Sequence, residues 1–166
     1  DTIERVLVVG PVDILGKRLG RYADIIDAQG TVMENLLAGI RYLGSRDSVL
    51  VLTSDIPLLT GEAINDFVLR SKEMGADFCY PIIERSVSKN KFPGMEKTYV
   101  RLREGRFTGG NIFYVNPQVF EEKIDVAQKF YEARKDSMKM AVHLGPIFLL
   151  RLALGILTID KAEKVF

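Results

Sequence analysis

The sequence predicts an α/β domain built on a doubly wound, mostly parallel sheet. Three observations carry that expectation. Strand-length apolar runs alternate with helical segments from Ile3 to Ile83, and such alternation implies parallel strands joined by right-handed crossovers. The run Val49-Leu50-Val51-Leu52 is continuously apolar, as in a strand covered on both faces. Gly44 and Gly75 stand where two of the helices should stop.

Each element has its own signal. Ile3 to Val9 reads as a buried strand ended by the turn dipeptide Gly10-Pro11. Residues 12–22 read as a short helix with Lys17, Arg18 and Arg21 outward, and Asp24 to Asp27 as a short strand. Thr31 is placed to cap a helix over 32–43, where Val32, Leu36, Ile40 and Leu43 share one face. The strand 49–52 follows, stopped by Pro57, and Thr60 then caps a helix over 61–74 with Glu62 in its first turn. Phe78 to Ile83 is the next strand. Residues 84–97 are polar, carry Pro93-Gly94 and read as a solvated loop, or as a substrate loop facing an anionic group. Thr98 to Leu102 alternates as a strand does, and Glu104-Gly105 turns into a second strand at Arg106-Phe107, interrupted by Thr108-Gly109-Gly110. Asn111 to Val115 is a strand ended by Asn116-Pro117, and a helix over 117–134 follows. A last helical region, about 137–157, is split near Gly145-Pro146. Its apolar half, Ile147 to Leu157, is shorter than the roughly 20 residues that span a bilayer and reads as a packed helix or a subunit contact.

Composition narrows the function. The 166 residues carry a net charge of +1, which gives no general nucleic-acid or membrane surface. The single cysteine, Cys79, excludes an internal disulfide and a cysteine-rich metal site, and its apolar surroundings predict burial. A single histidine, His143, argues against a histidine-based zinc site or catalytic triad. With no signal peptide before the first strand, a cytoplasmic protein is the expectation. Both ends read as cut: the chain starts at Asp1 and stops at Phe166 inside an apparent helix start at 158–163. No internal repeat or second domain is visible, so residues 1–166 are expected to form a single domain.

Asp55 is the first candidate for chemistry. It follows the apolar run 49–52, and ligands of open α/β sheets bind outside the carboxyl ends of the strands. An Asp in that position is also a common turn former. Thr108-Gly109-Gly110-Asn111 is the second candidate, because two glycines let a backbone approach a ligand and Asn111 supplies an amide. A β-bulge is the structural alternative. Gly30 and Asn35 are the third, with a plain glycine turn and a solvent-facing Asn as the alternative.

Ser54-Asp55-Ile56-Pro57-Leu58-Leu59 resembles the (G/S)D-x-P-L-L signature of the MobA-like NTP transferases. These are nucleotidyltransferases of the glycosyltransferase-A-type fold, and include the molybdenum-cofactor guanylyltransferases. The resemblance implies a Rossmann-like sheet of the nucleotide-diphospho-sugar transferase type. It implies that Asp55 binds the Mg2+ (or Mn2+) that carries the nucleotide phosphates. Gly109-Gly110-Asn111 resembles the family's GGN segment near acceptor and metal, which makes Asn111 a catalytic candidate beside Asp55. Gly30-Thr31-Val32-Met33-Glu34-Asn35-Leu36-Leu37 resembles its G-S-x-x-x-N-L segment, where Gly30 and Asn35 would approach the nucleobase.

The sequence also departs from that pattern. Family members begin with a strand and a glycine-rich L-A-G-G loop that wraps the triphosphate, and nothing of the kind precedes Ile3. Their late Asp-x-Asp-x-P-x-D segment has no counterpart either. The first strand and the phosphate loop are therefore expected to be missing here, and this stretch alone is expected to be inactive. The expected function is Mg2+-dependent transfer of NMP from an NTP to an unidentified phosphate or hydroxyl acceptor, releasing pyrophosphate. The expected partners are NTP and that acceptor, with no nucleic acid, no membrane span, and possible homo-oligomers. One alternative is a non-catalytic α/β module that binds a nucleotide or a protein. A second is a nucleotide-sugar glycosyltransferase, disfavoured because Thr53 and Pro57 stand where an Asp-x-Asp pair needs acids.

Overall fold

The structure, a computed structural model, describes residues 3–45, 47–133 and 144–164. It has mixed α/β architecture and divides into two compact units: Asp1–Cys79 with Phe113–Ile124, and Tyr80–Ile112 with Asp125–Phe166.

In the first unit, β1 (Leu7–Val9) pairs in parallel with β2 (Asp24–Ile26), Leu7 opposite Asp24. The crossover is α1 (Val12–Leu19), whose first amide, that of Val12, donates to the Asp27 carboxylate at 3.0 Å. Helix α2 (Val32–Leu43) carries a complete capping box: the Glu34 amide donates to Thr31 Oγ1, and the Thr31 amide donates to Glu34 Oε2. It ends at Gly44 with φ 57°, a left-handed residue that glycine adopts without steric cost. Gly39 brings α2 down onto β1, since a Cβ there would stand 3.3 Å from Val9 Cγ2. At the other end of the helix, Arg5 donates to the Leu43 carbonyl and pairs with Asp24 at 2.7 Å. Helix α2 therefore starts beyond the end of β2 and finishes beside the start of β1.

The chain then enters β3 (Val49–Leu52), an outer strand of a sheet in the order β3-β8-β4. Strand β4 (Phe78–Cys79) pairs antiparallel with β8 (Ile112–Val115), Cys79 opposite Tyr114. Helix α3 (Gly61–Met74) runs from its Thr60 cap to Gly75 at φ 60° and lays Val68 on that sheet. Val68, Cys79 and Tyr114 form the buried core, with Leu50, Ile64, Phe67 and Ala76 packed around them. Helix α5 (Pro117–Glu122) follows β8, capped by Asn116, and Glu121 reaches Arg41 of α2 at 2.9 Å.

The second unit holds an antiparallel sheet, β5-β7-β6, formed by Ile82–Glu84, Gly105–Gly109 and Val100–Leu102. Helix α4 (Arg85–Lys91) follows β5, and the Tyr99 hydroxyl donates to Ser88 on it at 3.2 Å. Helix α6 (Ile124–Ala133) begins at the boundary between the units. Helices α7 (Pro146–Ala153) and α8 (Ile159–Glu163) follow. Between these last two, Leu157 is 2% exposed, and its carbonyl accepts from the Arg103 amide at 2.8 Å.

Several expectations are corrected here. The sheets are mostly antiparallel: β1–β2 is a parallel pair, whereas β4–β8, β5–β7 and β6–β7 are antiparallel. After β4 the chain makes an excursion through β5, α4 and a hairpin at Glu104-Gly105 and returns as β8, antiparallel to β4. The single strand expected over 78–83 is two, separated at Tyr80-Pro81, where proline has no amide for a ladder. The expected loop 84–97 contains α4, because no glycine or proline interrupts it before Pro93. The strand expected to break at Thr108-Gly109-Gly110 runs unbroken to Gly109. The helix expected over 117–134 divides at Lys123, with neither proline nor glycine to account for it. Residues 137–143 of the last helical region, and the side chain of Phe130, lie outside the described residues. Its second half forms α7, on which Ile147 and Leu150 are 66% and 60% exposed. Among the described residues no helix is long and apolar enough to cross a membrane.

Candidate functional site

Strand β3 delivers the chain into a tight turn, where the Leu59 amide donates to the Ile56 carbonyl, before Thr60 starts α3. Asp55 is exposed in that segment, two rigid elements flanking it. Thr53 Oγ1 donates to Asp55 Oδ1, so a hydroxyl from the same segment fixes the carboxylate's orientation. Thr53 was not singled out by sequence reasoning; its signal was the two-residue spacing to Asp55, which lets a hydroxyl fold back onto a carboxylate.

Gly30 and Asn35 come together at the entrance of α2. Gly30 has φ 74°, and a Cβ there would meet the Glu34 carboxylate. Asn35 Oδ1 accepts from the Gln29 amide at 2.6 Å, so this residue fastens the loop leaving β2 to the first turn of α2. The Thr31 amide donating to Glu34 holds that carboxyl below the usual range. This loop is therefore pinned at Gln29, Thr31 and Asn35.

Gly109 and Gly110 belong to the second unit. A Cβ on Gly109 would collide with the ring and hydroxyl of Tyr80, and one on Gly110 would stand 2.9 Å from Pro81 Cγ. The Gly110 amide donates to the Pro81 carbonyl at 2.9 Å. The chain's own Tyr80-Pro81 segment occupies the space these glycines open. Partial burial pushes the Tyr80 phenol above its ordinary value. Asn111 is exposed at the bend between β7 and β8.

Two concave surfaces lie elsewhere in the first unit. A cleft of about 240 Å³ is lined by Ser48, Ser71, Lys72, Asp77 and Asn116, at the start of β3 and the end of α3. Another, of about 250 Å³, lies between the C-terminal end of α2 and α5. Neither includes Asp55, Gly30 or Asn35. Both are open to solvent.

The donor set bears on a metal. Among the described residues no three acidic, histidine or cysteine side chains stand together as a cage. Asp55 fits a smaller role, because Mg2+ at phosphate sites takes one or two carboxylates and completes its shell with water and phosphate oxygens.

No protein-family model matches this chain, and no curated protein matches it. A solved structure described as a hypothetical transferase from Thermus thermophilus resembles it at 34% identity and a TM-score of 0.82. The likeness covers 95% of this chain and 65% of that one, so the chain spans about two thirds of the length of its neighbour.

Proposed function

We propose that this chain belongs to a nucleotidyltransferase of the MobA-like class. The observation that carries the reading is the likeness to a hypothetical transferase along 95% of the chain. Asp55, at the exit of β3, gives that likeness a chemical centre. We also propose that β3 runs parallel to β1 and β2. The support is α2, which returns the chain from the end of β2 to the start of β1, so β3 sets out from the starting edge. On that proposal Asp55, after β3, and the pinned loop at Gly30 and Asn35, after β2, stand at the carboxyl ends of their strands, where ligands of open α/β sheets bind.

In this reading an oxygen of the acceptor attacks the α-phosphorus of an NTP. The bond to the bridging oxygen breaks, and pyrophosphate leaves with that electron pair. A divalent cation held by Asp55 would offset the charge of the phosphates. The Thr53 hydroxyl keeps the Asp55 carboxylate turned to one orientation. The bond from Gln29 to Asn35 keeps the loop at Gly30 rigid enough to meet a nucleobase. Catalysis of this kind is positioning and electrostatic stabilisation.

The test is NTP-dependent pyrophosphate release by the full protein. Asp55→Asn should lower it roughly a hundredfold or more, the scale of losing several kcal/mol of transition-state stabilisation. Near-normal release from that variant refutes the role. One observation favours a second reading, a module that binds nucleotide without chemistry: Tyr80 and Pro81 fill the space beside Gly109 and Gly110. That reading expects saturable nucleotide binding with no pyrophosphate under any acceptor tried.

A further inference from the structure

Charge divides unevenly between the units. The first has 9 Lys or Arg against 14 Asp or Glu, and the second has 14 against 8. The ion pairs Arg5–Asp24, Arg41–Glu121 and Arg70–Asp66 all lie in the first unit. In the second unit, Arg101 on β6 stands directly opposite Arg106 on β7. Both are exposed, and among the described residues neither pairs with a carboxylate.

Directly opposed residues of an antiparallel pair share a face, with Cβ atoms about 5 Å apart, and like charges there are destabilising. Arg85 follows β5 as the first residue of α4. The Arg85 guanidinium lies 5.8 Å from the Tyr99 ring. The fold also makes room for one of these side chains. Gly155 has φ 65°, and a Cβ there would come within 2.8 Å of Arg101 Nε and 2.9 Å of Arg101 Cδ. The Arg103 amide, bonded to the Leu157 carbonyl, holds that segment along β6. Among the described residues, this opposed pair of cations, with a glycine seat for one, has no counter-ion to relieve it.

We propose that the Arg101–Arg106 pair binds the phosphate group of a small phosphate ester. A doubly charged tetrahedral oxyanion offers edges to two planar forks at once, and guanidinium binds such edges bidentately. The excess positive charge of the unit draws anions towards it. A nucleic-acid strand fits less well, because Tyr99 already meets Arg85 and Ser88 and so offers no free platform for a base. Binding of a phosphate ester here requires nothing of Asp55 and does not rest on the proposed transfer reaction.

The test is calorimetric titration of the full chain at low salt with inorganic phosphate, with glycerol phosphate and with a single-stranded oligonucleotide. The wild type should bind glycerol phosphate saturably at one site. Arg101→Gln and Arg106→Gln should each weaken it tenfold or more, while Lys91→Gln on α4 changes it less than twofold. In the absence of phosphate, Arg106→Gln should leave Tm unchanged or raise it, since a like-charge pair is relieved. No saturable binding overturns the proposal. An equal loss in Lys91→Gln overturns it by showing diffuse attraction. Tighter binding of the oligonucleotide, dependent on both arginines, replaces it with a polyanion surface. A fall of several degrees in the Tm of Arg106→Gln overturns it by making the arginine a part of the fold.

Discussion

Gly109 carries the sharpest residue-level consequence. Its missing Cβ is what lets Tyr80 lie against β7. Gly109→Ala should cost about 1–3 kcal/mol, the usual scale of overpacking. Thermal denaturation of Gly109→Ala with and without Tyr80→Ala checks the cause, because shortening Tyr80 should recover part of the loss. If Tyr80→Ala restores nothing, the collision is not the reason for the glycine. Val68, 2% exposed against Cys79 and Tyr114, should lose about 2 kcal/mol as Val68→Ala, measured by urea unfolding. At this scale the sequence was legible for Cys79, whose apolar neighbours announced its burial. It was less so for the paired glycines. Two adjacent glycines signal a close approach, and nothing local says whether the approaching group is a ligand or a residue 29 positions earlier in the chain. The bond from Thr53 to Asp55 was not legible because a hydroxyl bonded to its second neighbour leaves no periodic pattern.

At the scale of elements, local chemistry set the helices that have strong ends. Helices α2 and α3 fall on the expected residues because Thr31 and Thr60 cap them and Gly44 and Gly75 stop them. Helix α4 was not foreseen because its sequence is polar and short and no capping side chain marks its start. Strand direction was not foreseen either, since pairing depends on contacts distant in sequence. The capping box of α2 gives a pH-dependent prediction. The Glu34 carboxyl is held below its ordinary value by the Thr31 amide, so it contributes stability above the unfolded pKa. That contribution is lost as pH falls through the folded value. The stability difference between wild type and Glu34→Gln should therefore be largest near neutrality and shrink on acidification. A difference that stays constant from pH 7 to pH 3 contradicts the carboxylate's role. Thr31→Ala should cost about 1 kcal/mol across the whole range.

For the whole molecule, the composition excluded whole classes of chemistry, and the motif at 54–59 directed attention to the exit of β3 before any fold was known. It could not place Asp55 relative to the loop at Gly30, because that depends on the direction of β3. Exposed apolar side chains such as Leu52, Ile147 and Leu150 predict association that grows with concentration. Light scattering that reports a monomer over a hundredfold concentration range contradicts this. The proposed site has Asp55 holding a divalent cation with a nucleotide beside the Gly30–Asn35 loop. Its most direct test is paramagnetic broadening of amide resonances by Mn2+ with NTP in the full protein, compared with Asp55→Asn. Selective loss of the signals of residues 53–56 and 29–35 is expected, abolished by the substitution. Broadening centred elsewhere, or unchanged in Asp55→Asn, would contradict it.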